Sequence, residues 1–139
     1  MEPAVAKKTM NDAKRYRDER GQALVEFALV LPILVLLLFS VIQLGIVYKD
    51  YLALTDAVRA GARKAAVARL SGDPQGTAVS AVDSAAADLD ASKLGVEVDS
   101  TWKQGQDVTV TGTYPYEISV LGIVVKSGTL NTTVTERVE

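Results

Sequence analysis

Apolar residues run almost without interruption from Ala23 to Val47, a stretch of 25 residues in which Glu26 alone is charged. As a helix this segment measures about 37 Å, more than the roughly 30 Å of a bilayer's hydrocarbon core, so the pattern predicts a membrane-spanning helix with some tilt. The residues before it are polar and include Lys7, Lys8, Lys14, Arg15, Arg17 and Arg20, whereas the first basic residue after it is Lys49. That bias places the N-terminus in the cytoplasm, and Tyr48 and Tyr51 then fall where an aromatic belt marks the outer interface. A secretory signal peptide fits poorly, because its apolar region spans about 7–15 residues and ends in a small-residue cleavage site.

Beyond the span the pattern predicts a helix over 48–70, rich in Ala, Leu and Arg and free of proline. Ala57, Gly61, Ala65 and Ala68 form a row of small residues on it, suited either to close packing against another backbone or to covering the domain's own sheet. Arg59 and Arg63, four apart, repel one another slightly unless an acidic partner or lipid phosphate lies beside them. A second helix is expected over 74–94, with Asp73 as N-cap, Pro74 at the first helical position, an apolar stripe of Val79, Val82, Ala86 and Leu89, and Gly95 just past its end. From Val96 the period changes to two, which predicts strands over 96–102, 107–114 and 129–138, the first two joined by a hairpin turn at Lys103–Gln106. The fold class expected is α+β: a long N-terminal membrane-spanning helix continuing into a small outer domain with a second helix and a three-stranded antiparallel sheet. Residues 114–126 are too apolar for an exposed loop and too short for a second span. They are expected to be buried, either as a flap over the domain's core or as a patch against membrane or partner.

Composition narrows the function. Fifteen basic against 17 acidic residues leave a net charge of -2, which supplies no broad attraction for nucleic acid. The sequence has neither cysteine nor histidine, so thiol nucleophiles, His general bases and thiolate or imidazole metal ligands are excluded. Asp83, Asp88, Asp90, Glu97 and Asp99 fall on different faces and read as solubilising charges. No phosphate loop, nucleophile elbow or dinucleotide fingerprint occurs. No cofactor, metal site or enzymatic activity is expected.

Glu26 is the anomaly. A carboxylate at the middle of a bilayer costs about 2.5–3.5 kcal/mol even on insertion scales, so it calls for compensation. A shallow position in the first turn of the span, favoured by the helix dipole, is one answer. The string Arg20-Gly21-Gln22-Ala23-Leu24-Val25-Glu26-Phe27 gives another, because it resembles the processing site of type IV prepilins. The stretch from Gly21 to Ala66 as a whole resembles the TadE-like proteins of the tight-adherence pilus machinery.

That resemblance implies a leader, 1–21, cut after Gly21 on the cytoplasmic side by a prepilin peptidase. The mature chain then begins at Gln22, with a span over 22–47 and an extracytoplasmic domain over 48–139. It implies an inner-membrane minor pilin or pseudopilin, whose partners are other pilin subunits, the pilus assembly platform and the lipid bilayer. Glu26 would be the fifth mature residue, placed to meet the new amino terminus of a neighbour, with Phe27 beside it. Pro32 removes a helix hydrogen bond, and a kink there would serve packing in a filament. Gln43 and Ser40 are either donors to another helix, with Gly45 permitting close approach, or incidental. The alternative of another class is an uncleaved signal-anchor protein whose outer module binds a ligand.

Overall fold

The computed structural model describes residues 3–120 and 122–139, with side chains described from Gly21 onward. The basic side chains expected to set the topology, Lys7 to Arg20, and the apolar Leu121 lie outside the described side chains. The chain divides into two units, the first ending at Val41 and the second running from Ile42 to Glu139. Helix α1, Pro3–Val67, forms the first unit and supplies the first element of the second. It continues through Pro32.

Every described side chain of the first unit is exposed, including Leu24 (69%), Phe27 (58%), Ile33 (65%) and Leu37 (60%). An apolar surface of this kind is stable only in lipid or against other apolar helices. Among the described residues one helix is long and apolar enough to cross a membrane, and its most apolar stretch is not buried.

The second unit is an α+β domain. After α1 comes a 3-10 turn, Ala68–Leu70, then α2, Pro74–Ala85. The strands β1 Gly95–Ser100, β2 Asp107–Val120 and β3 Ile123–Arg137 form an antiparallel sheet in the order β1-β2-β3. The start of α2 follows from its first residues: Asp73 Oδ1 accepts from the Gly76 backbone N–H at 2.9 Å, and Pro74 supplies a φ angle already suited to a helix. Its end lies at Ala85 rather than the expected 94. No basic residue stands in its last turn, and Asp88 and Asp90 would lie near the negative end of a longer helix's dipole. Residues 86–94 instead form turns, tied down where the Asp90 backbone N–H donates to the Tyr114 hydroxyl at 3.3 Å.

The core forms where α1 and α2 cover one face of the sheet. Leu54, Val58, Val82, Val108 and Val110 are fully buried, each such side chain contributing about 1.5–3 kcal/mol by leaving water. The small-residue row serves this core, since Ala57 and Ala65 of α1 are fully buried and Ala68, in the 3-10 turn that follows, is 5% exposed. A Cβ at Gly61 would collide with Val82 Cγ2, and one at Gly112 with Val58 Cγ2. Those two positions let α2 and β2 approach α1 closely. The opposite face of the sheet carries hydroxyl pairs, Thr109–Thr135 and Thr111–Thr133, each at 3.1 Å.

The expected third strand and the expected apolar flap both need correction. β2 continues past residue 114 to Val120, and β3 begins at Ile123 rather than 129. Residues 114–120 and 122–126 therefore belong to the far end of one long hairpin, whose last described pair is Val120–Ile123, with Gly122 at φ +82°. Their period of two, Tyr114, Tyr116, Ile118 and Val120, is masked by Pro115. β1 begins at Gly95 opposite Thr113, so from Tyr114 onward β2 pairs with β3 alone among the described residues, and a proline is tolerated there.

Two predictions follow from the packing and the turns. Gly61→Ala should lower the domain's stability by about 1–3 kcal/mol through overpacking against Val82, seen as a drop of roughly 4–8 °C in melting temperature per kcal/mol. Gly72→Ala, where a Cβ meets nothing within 4 Å, should change it little; equal drops would contradict the packing account. The Asp90 carboxyl is held below the usual carboxylate value by the Ser92 hydroxyl (2.7 Å), the Ser92 backbone N–H (3.0 Å) and nearby Lys93. A lowered folded value gives stability that is present above the ordinary carboxylate pKa and lost as pH falls through the lowered one. Unfolding measured between about pH 2 and 5 should show an acid-side slope that Asp90→Ala reduces.

Candidate functional site

The residues singled out at the start of the span lie on one stretch of α1. Gln22 and Glu26 are one helical turn apart, and the Gln22 side-chain amide donates to Glu26 Oε1 at 3.0 Å. Both are exposed, as is Phe27. Gly21 lies within the same helix, and a Cβ added there would meet nothing within 4 Å. Packing in the described structure therefore gives no reason for a glycine at 21. Pro32 also lies in the exposed part of α1.

The polar residues nearer the outer end of the apolar run have partners within their own chain. Ser40 Oγ donates to the Leu36 carbonyl at 2.8 Å, one turn back along the helix, a bond that serine and threonine commonly make inside helices. Gln43 Nε2 donates to the Ser119 carbonyl at 2.9 Å, across 76 residues of sequence. Ser119 lies on β2 at the register shift with β3 between Ile118 and Ser119, where Ser119 pairs with Val124 and Ile118 with Lys126. The hairpin end thus lies alongside α1 at the level of Gln43. Next along the helix, Leu44, Gly45, Val47, Tyr48 and Tyr51 line an apolar groove closed by Leu130 of β3. A Cβ at Gly45 would meet nothing within 4 Å, so the groove does not depend on glycine there.

Sequence reasoning identified Gln43 but missed Ser119. The usable signal is the run Ile118–Val125, which carries no charge between Glu117 and Lys126 and so resembles buried or lipid-facing chain more than a surface loop.

No group of three or more His, Cys, Asp or Glu side chains suited to a metal ion occurs among the described residues. Asp83, Asp88, Asp90, Glu97 and Asp99 are all exposed. Arg59 pairs with Asp56 at 3.5 Å, with both side chains more than half exposed, a contact worth little in water. Among the described residues the arrangement is one of exposed apolar surface with a few placed polar groups.

No curated protein and no solved structure matches the chain. A family model does: residues 21–63 match the TadE-like protein family. The matched segment begins at the glycine ahead of the apolar run, covers the whole run with Gln22, Glu26, Phe27, Pro32 and Gln43, and ends in the part of α1 that packs on the sheet. From Gly21 to Arg63, about a third of the chain, the helix that carries the apolar run and enters the outer domain is similar to the TadE-like protein family.

Proposed function

We propose that this chain is a minor pilin or pseudopilin of a tight-adherence pilus, anchored by one membrane span and acting through assembly. The observation that carries the reading is the TadE-like match over residues 21–63, which falls on an apolar helix whose described side chains up to Val41 are all exposed. Lipid covers that surface while the subunit is stored in the inner membrane, and neighbouring apolar helices cover it when subunits pack side by side.

Processing is the first step of the proposed mechanism. A prepilin peptidase cuts after Gly21 on the cytoplasmic face, and the mature protein starts at Gln22 with its span intact and its outer domain, from residue 48, outside the cytoplasm. Two observations support the position. Gly21 meets no packing need for a glycine, and glycine in a helix costs about 1 kcal/mol relative to alanine, which helps the backbone leave the helix and enter a protease cleft.

Cutting there creates an amino group four residues from Glu26. Among the described residues Glu26 accepts a hydrogen bond from the neutral Gln22 amide, which supplies no positive charge. The amine of an adjacent mature subunit supplies the missing positive charge. At about 4 Å and an effective dielectric near 20 that attraction is about 4 kcal/mol before desolvation is subtracted. Because the pair forms at one relative height, it fixes the register of neighbours. Phe27 and Pro32 shape the same lateral surface, and Gln43, by holding the hairpin end against α1, sets what a neighbour meets at the outer edge. The assembly platform of the inner membrane is the proposed site where subunits are brought together.

Intact mass of membrane-extracted protein tests the processing step. In cells with the cognate peptidase the chain should lose Met1–Gly21, and Gly21→Val should abolish the loss. A full-length chain in peptidase-positive cells would instead indicate an uncleaved anchor. Separately, Glu26→Gln should leave cleavage intact while reducing pili on the cell surface; unchanged piliation would remove the charge pair from the mechanism.

A further inference from the structure

Beyond its own core, the outer domain carries a second apolar feature. At the end of the β2–β3 hairpin Ile123 is 71% exposed, Val124 54% and Val125 67%. Ile118, Ser119 and Val120 on the other strand are half-buried. No charge occurs between Glu117 and Lys126.

The Gln43–Ser119 hydrogen bond sets this part of the hairpin beside α1 at the level of Gln43. Gln43 lies four residues inside the end of the apolar run at Val47, which places it about 6 Å deeper than that end along the helix. Whatever depth the end of the span occupies, the tip reaches below it. Tyr48 and Tyr51, exposed on α1, are residues of the kind that settle at headgroup level. The first charges along the hairpin, Glu117 and Lys126, stand at the rim of the apolar segment rather than within it.

We propose that the hairpin end, Ile118–Val120 and Ile123–Val125, is a second membrane contact that seats in the outer interface of the bilayer crossed by α1. The chemistry of the backbone limits its depth. A hairpin end paired on one side only presents outward-facing N–H and C=O groups that hydrocarbon cannot satisfy, so it rests among headgroups and upper acyl chains. The Ser119 carbonyl is one polar group in this region, and Gln43 satisfies it from within the chain. This gives Gln43 a physical role in a largely apolar helix: one of its amide N–H groups satisfies the Ser119 carbonyl, and that carbonyl takes up one of its donors. The bulge between Ile118 and Ser119 turns the last residues of the hairpin. Held at two points, the outer domain has a restricted tilt and rotation on the membrane, which presents one defined face to an incoming subunit.

The inference rests on the reading of the apolar run as a bilayer span, and the experiment reports on each separately. The sequence has no cysteine, so single cysteines can be placed in the full chain and labelled with an environment-sensitive nitrobenzoxadiazole dye. Three sites are used in vesicles of phosphatidylethanolamine and phosphatidylglycerol: Val124→Cys at the tip, Leu37→Cys in the span, and Lys103→Cys in the turn at the other end of β2. Nitroxide-bearing lipids should quench the dye at 37 and 124 but not at 103, and aqueous iodide the dye at 103 but not at 124. Gln43→Leu in the Val124→Cys chain should remove most of the lipid quenching at 124, with 37 and 103 unchanged when labelled in the same background. Iodide quenching at 124 equal to that at 103, with 37 still lipid-quenched, would overturn the hairpin contact and leave the span standing. Protection at 124 that appears only as the protein-to-lipid ratio rises would assign the tip to a neighbouring copy and overturn it as well. No lipid quenching at 37 would remove the span reading and the inference together. Quenching at 124 indifferent to Gln43→Leu would overturn the tethering role.

Discussion

Hydrocarbon offers no hydrogen bonds and no counter-charges, and that constraint governs this molecule. It requires the apolar run to be one continuous helix that satisfies its own backbone. It also gives weight to every polar side chain within the run. Ser40 meets the requirement locally by bonding back to Leu36, and Gln43 meets it by reaching the Ser119 carbonyl. Glu26 has only a neutral partner, Gln22, among the described residues. The proposed assembly mechanism starts from that neutral partner, which supplies no counter-charge.

The outer domain is organised by the same helix. From Leu54 to Ala66 α1 changes from a surface that needs lipid to one that fills a protein core, and its composition changes accordingly, from Leu, Ile, Val and Phe to Ala and Gly with a few larger residues. Small residues let α2 and the sheet come close enough for a single thin layer of valines to close the core, with Gly61 under Val82 and Gly112 under Val58. A domain of this size has little interior, so close approach substitutes for bulk. The C-terminal end is drawn into the same arrangement: Val138 is 1% exposed and the Glu139 backbone N–H donates to the Ala66 carbonyl at 2.9 Å.

Much of this could be read from the residues in order. The apolar run, the Asp73–Pro74 helix start and the alternation around Val96, Val98, Val108 and Val110 each depend on neighbours within a few positions, and the structure follows them. The end of α2 was harder, because the stripe Val82, Ala86, Leu89 persists after the helix has ended: Ala86 and Leu89 are buried from turns rather than from helix. The hairpin was obscured by Pro115, a residue that argues against a strand unless the strand is known to be paired on one side only. The contact between Gln43 and Ser119 had no local signal at all, since it depends on how far β2 runs past β1 and on which way it runs along α1. The proposed pairing of Glu26 lies further still from the sequence, because its partner is a terminus that exists only after cleavage, in another chain.

That pairing can be observed directly by zero-length crosslinking. Carbodiimide treatment of native membranes or sheared pili should join the amino terminus at Gln22 of one mature subunit to the Glu26 carboxylate of another, giving a covalent dimer whose linked peptide is identified by mass. The account predicts this product in cells with the prepilin peptidase and its loss in Glu26→Gln. Assembled subunits that yield no Gln22–Glu26 linkage between chains, while other carboxylate–amine pairs crosslink readily, would contradict it.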